Sequence, residues 1–253
     1  MFEPETTLDD ILINLRFMER HIENPFNFCR AEAYSGTGLE TRLISEGMLL
    51  GDYFGFDYRI KDPASEAFHQ IANYAFFNRN FSDYGLHYFN MQVDFYFQLL
   101  RRFHPELLTQ SLRAAVRNFI KHTNLDTYEC ICRIYDFVAR ANPSDQARLR
   151  GFAAELRERV DERSTELLAR GERILHWLEN TYAHRASGPG DIEEMPAYSA
   201  SPPHLTTQSP VAPADNPFDP LGLTPVPIPY DVFKARLGAE QSGHPQQLES
   251  CLS

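Results

Sequence analysis

Glu66 and His69 stand three residues apart in "DPASEAFHQ", a spacing that puts a carboxylate and an imidazole on one face of a helix. Carboxylate-bridged metal bundles use that pair, together with a second Glu-x-x-His and two further glutamates from facing helices. The nearest second pair, Glu172 and His176, is spaced by four, so a helical carboxylate and histidine metalloprotein or enzyme is the alternative reading, not the leading one. Cys130 and Cys132 are two apart in a helical stretch, where their side chains diverge. Zinc sites draw cysteine pairs from turns and need a second cluster. "SGTGLET" (35–41) has the glycines of a phosphate loop without its lysine or preceding strand, and Thr37 with Glu40 explains it as a helix cap. These patterns assign no catalytic residue, no metal ligand and no cofactor.

The elements that must carry these residues are helices. Thr7 and Asp10 have capping-box spacing, and Leu8, Ile11, Leu12, Leu15, Met18 and Ile22 follow as one apolar stripe. Asp62-Pro63, His104-Pro105 and Asn142-Pro143 place proline where a first helical turn tolerates it. The marks predict helices near 7–23, 38–50, 63–78, 84–103, 105–121, 125–140 and 143–183. Only "DYFGFDYRI" (52–60) resists a helical reading. The fold class is all-α, a bundle of about seven helices with a long final one. In that helix Leu149, Ala153, Leu156, Val160, Leu167 and Ile174 approximate a heptad seam, which Arg163, Arg170 and Gly171 interrupt. The expectation is packing along the bundle with the far end projecting, and homo-oligomerisation through 143–183 is the other use of the seam.

Rings crowd the segment 73–103, with Phe76, Phe77, Phe81, Tyr88, Phe89, Phe95, Phe97 and Phe103 among them. Bases stack on rings only beside a cationic groove, and this chain is acidic, with net charge −11. The rings therefore mark the centre of the core. A ring-lined groove receiving a partner peptide is the second reading.

Composition divides the chain. Twelve of the 17 prolines follow residue 185, in a stretch rich in Pro, Ser, Ala and Gly that has too little apolar content to offset chain entropy. The reading is a helical globular domain over 1–185 and a disordered, proline-rich, acidic tail over 186–253. The acidic balance disfavours nucleic acid and anionic lipid, and no apolar run reaches membrane-spanning length. The N-terminal residues do not resemble a signal peptide and the four cysteines are too few for a disulfide framework, which implies a reducing, cytoplasmic setting. Arginine outnumbers lysine 21 to three. A GC-rich genome explains that bias, and avoidance of lysine modification in a viral or host-manipulating protein is the sharper explanation.

The tail keeps a few oily side chains in "DNPFDPLGLTPVPIPYDVFKARLG" (215–238). Asn216 before Pro217 favours a turn that holds Phe218 outward. That tripeptide resembles the motif of ligands for EH domains of endocytic adaptors. Tyr230-Asp231-Val232-Phe233 resembles the tyrosine-x-x-bulky sorting signals that clathrin adaptor subunits bind. "LTPVPIP" between them favours polyproline II, a pre-extended spacer. Asn216, Pro217, Phe218, Tyr230, Val232 and Phe233 are the expected partner-binding residues. The sequence therefore reads as a non-enzymatic interaction or adaptor protein that meets protein partners through tail motifs. Docking of Val232, Phe233 and Leu237 back onto the helical domain is the competing fate of those side chains. A structural oligomer, such as a virion or scaffold component, is a further alternative.

Overall fold

A computed structural model describes residues 2–52, 55–82 and 85–186. The tail motifs expected to bind partners lie outside the described residues. Helix α1 spans Leu8–Arg20 and α2 Gly38–Ser45; strands β1 (Leu50–Asp52) and β2 (Gly55–Asp57) follow. Then come α3 (Pro63–Phe81), α4 (Leu86–Phe103), a 3₁₀ turn at Pro105–Leu107, α5 (Gln110–Val138) and α6 (Gln146–Ala186). The protein is an all-α bundle, as composition and periodicity indicate. Where the sequence resists a helical reading, β1 and β2 pair antiparallel, with Leu50 opposite Asp57 and Asp52 opposite Gly55.

Local chemistry starts most helices where the sequence says. Thr7 Oγ1 accepts from the Asp10 amide at 3.3 Å and Asp10 Oδ2 accepts from the Thr7 amide at 2.9 Å, closing a capping box. Asp62 caps α3 by accepting from the Ser65 amide at 2.9 Å, with Pro63 in the first turn. Two prolines mark connections instead. His104-Pro105 yields only the 3₁₀ turn, and α5 begins after Thr109, whose hydroxyl accepts from the Leu112 amide at 3.2 Å. After Asn142-Pro143, Asp145 accepts from the Arg148 amide at 3.1 Å and α6 begins.

The helices expected at 105–121 and 125–140 are one helix, α5. No Gly or Pro interrupts "KHTNLDTYE"; Thr127 donates back to the Thr123 carbonyl at 3.0 Å within the helix, and Asn124 bonds away from it. Asn124 donates to the carbonyls of Ile22 (2.8 Å) and Asn24 (2.7 Å), just beyond α1.

The apolar side chains form two main clusters stacked along α5 and α6. One joins α1, α3, the C-terminal half of α5 and the start of α6, through Leu15, Phe68, Phe76, Ile134 and Leu156. The other joins α4, the N-terminal half of α5 and the later α6, through Leu86, Val93, Phe119, Leu168 and Leu178. Every apolar seam residue of α6, from Leu149 to Ile174, is buried. The helix does not project early either, because Tyr182 still packs on Tyr96 and His104, with ring centres 6.3 and 6.0 Å apart. Gly171 is a close approach: a Cβ there would fall 2.6 Å from Phe119 Cζ and 3.3 Å from Phe89 Cβ.

Candidate functional site

The helical Glu, His and Cys residues singled out by spacing all lie among the described residues. Glu66 accepts from the Ile60 amide at 2.8 Å through one oxygen and from Gln70 at 2.5 Å through the other. It ties the hairpin's exit to α3. His69 turns away from it, with its ring edge-on to Phe2 at 5.3 Å. His69 lines a cavity of about 210 Å³ with Arg30, Tyr58 and the exposed thiol of Cys29. Burial, then the nearby Arg30 cation, pushes the His69 imidazole down to about 3. Arg30 pairs with Asp57, donates to the Tyr58 carbonyl and lies 5.0 Å over the Tyr58 ring. Tyr58 donates to the Ala31 and Phe2 carbonyls at 2.8 and 3.2 Å, and burial pushes its hydroxyl up to about 12. These contacts fasten the first residues and the hairpin to the bundle.

Cys130 is buried and Cys132 half-buried on α5, and burial raises both thiols. Among the described residues, no three His, Cys, Asp or Glu side chains converge as a metal site would require. Thr37 caps α2 by accepting from the Glu40 amide at 3.3 Å, and Glu40 reaches the Gly36 amide at 2.6 Å, so "SGTGLET" is used as a cap. Glu172 and His176 lie on α6, where His176 meets Asn180 at 2.9 Å.

A polar layer that the sequence reading missed lies at the waist between the two apolar clusters. Arg79 of α3 is 2% exposed. It meets Asp126 of α5 at 2.7 Å and donates to Ser164 Oγ (2.8 Å), Thr127 Oγ1 (3.1 Å) and the Val160 carbonyl (3.2 Å). Asn90 of α4 donates to Asn124 at 3.1 Å in the same layer. One cation thus joins three helices. Its donors are taken up by protein groups, so the layer fixes register and offers a ligand little.

The ring-rich segment splits into two faces, and the second is the candidate site. Phe76, Phe89 and Phe97 are buried, as expected of a core. Tyr88 (40%), Met91 (46%), Phe95 (54%) and Phe103 (63%) are exposed. Their spacing of three, four and eight, with half-buried Leu99 in the gap, places all of them on one side of α4. The opposite side, through Leu86, Val93 and Leu100, faces α5 and α6. Arg101 and Arg102 stand exposed in the last turn, unpaired with any carboxylate among the described residues. Isolated surface rings are ordinary, whereas a row of them along one helix calls for an explanation. Its sequence signal was present: apolar residues at helical spacing on both sides of one helix, more than a single core face needs. No described helix is long and apolar enough to cross a membrane.

No family model, no curated protein and no solved structure matches this chain.

Proposed function

We propose that this chain is a non-enzymatic interaction protein of a reducing, cytoplasmic compartment, with a rigid helical body and a tail of linear motifs. The observation that carries the reading is the row Tyr88, Met91, Phe95 and Phe103 on the outer side of α4. Exposed rings cost solubility, and a binding role accounts for keeping them. The tail supplies the second element, Asn216-Pro217-Phe218 and Tyr230-x-x-Phe233, each resembling a ligand motif of endocytic adaptor domains. The three described cysteines are free thiols, in keeping with a reducing setting. A motif of this size binds at about micromolar strength, so a second contact from the body raises useful affinity through effective concentration.

The test is direct titration of a labelled peptide covering 212–238 against a purified EH domain and a clathrin-adaptor cargo-binding domain. A dissociation constant of about 1–100 µM, weakened at least tenfold by Phe218→Ala with Tyr230→Ala, is expected. Indifference of both domains to the peptide would remove the assigned role of the motifs.

A further inference from the structure

We infer that the α4 stripe is the docking surface for the chain's own segment 217–237, so that the body conceals the tail motifs until a partner competes for them. The inference rests on the interaction-protein reading and names the occupant of its surface. Three observations converge on that occupant.

The first is where the chain leaves the body. Tyr182 packs edge-on against His104, one residue beyond α4, so α6 ends beside the Phe103 end of the stripe. The last described turn of α6 therefore lies beside one end of the stripe. The second is reach. The stripe from Tyr88 to Phe103 is about 22 Å long at a helical rise of 1.5 Å per residue. A proline- and serine-rich connection over 187–216, about 30 residues, has a root-mean-square span of about 30 Å. Residues 221–230 in polyproline II extend about 28 Å, commensurate with the stripe.

Complementarity is the third. The segment brings Phe218, Leu221, Val226, Ile228, Tyr230 and Phe233 to a row of rings and a methionine. The segment's Asp219 and Asp231 are opposite in charge to Arg101 and Arg102 at the end of the stripe. A tether of this length supplies an effective concentration near the millimolar range, well above that of a second copy in dilute solution. A contact too weak to dimerise the protein still closes it.

Trypsin tests this on the full chain, because Lys234 and Arg236 are the only tryptic sites after residue 185. Cleavage at both is expected to be at least fivefold slower than in a free 212–253 peptide, and independent of protein concentration. Phe95→Asp with Phe103→Asp should restore the peptide's rate while circular dichroism stays unchanged. Val226→Asp with Ile228→Asp should restore it without touching the body, so the test survives even if the α4 variant misfolds. Equal rates in chain and peptide would overturn the docking. So would protection that grows with concentration from 1 to 100 µM, which would assign the stripe to a second copy. The outcome is separable from that of the adaptor titration, since the isolated peptide binds or fails to bind adaptor domains whether or not the chain closes.

Discussion

The Arg79 guanidinium of α3 and the Asp126 carboxylate of α5 meet at 2.7 Å with both side chains at least nine-tenths buried. Asp126 also faces Arg163 of α6, whose Nε lies 3.5 Å away, so one carboxylate balances two cations at the waist. A buried pair of this kind adds little net stability over a well-packed apolar layer, yet removing one member strands a charge. Its service is alignment, since Ser164, Thr127 and the Val160 carbonyl reward only one register of three helices.

Asp126→Ala is therefore expected to destabilise the fold by about 3–5 kcal/mol, read as a lower urea midpoint at unchanged slope. Arg79→Met combined with Asp126→Leu should recover much of the loss, because neither charge is then left alone. A double variant as unstable as the single one would mean that the hydrogen bonds, not the charges, carry the layer.

Gly171→Ala opposes two effects of known size. Alanine improves helix propensity by about 1 kcal/mol. Its Cβ, however, lands 2.6 Å from the tip of Phe119, which is fully buried and has nowhere to turn. Overpacking of that kind costs about 1–3 kcal/mol, so a net loss of about 1 kcal/mol is expected in thermal or urea unfolding. A stabilised variant would show that the ring yields.

Asn124→Ala removes the donor that reaches the Ile22 and Asn24 carbonyls from the middle of α5. Loss of about 1–3 kcal/mol is expected, with faster amide exchange in the segment after α1. If exchange there is unaltered, the connection is held by something else.

These residues show what was legible and what was not. Capping boxes and proline positions are local, so Thr7 with Asp10 and Asp62 with Pro63 could be read directly. Asn124 misleads because its side chain spends its hydrogen bonds on a segment about 100 residues earlier, so that a residue favouring turns sits inside a helix. Arg79 stands in a ring-rich stretch together with Arg101 and Arg102. Its partners lie on α5 and α6, and nothing local announces them. The rings of α4 were visible as a density, but inside and outside separate only once α5 and α6 are seen to cover one side. Residues 216–218 and 230–233 lie outside the described residues, so their role rests on the sequence.

His69 gives a prediction in pH. Its Nδ1 is buried without a hydrogen-bond partner among the described residues, and the Arg30 cation discourages protonation further. The folded-state value is about 3, against about 6.5 for an exposed imidazole. Between those values the unfolded chain binds a proton that the folded chain refuses. The stabilising contribution is whole above about pH 6.5 and is lost as pH falls toward 3. Near pH 5 one such group contributes a slope of about 1.4 kcal/mol per pH unit. Burial lowers His87 and His122 as well, so the wild-type slope combines several rings. His69→Gln keeps a polar side chain of similar reach and removes the titration. Urea unfolding at pH 7, 6 and 5 should show the variant losing less stability with acid than the parent, by about one proton's worth of slope. Parallel curves would show that His69 takes up its proton without unfolding the chain.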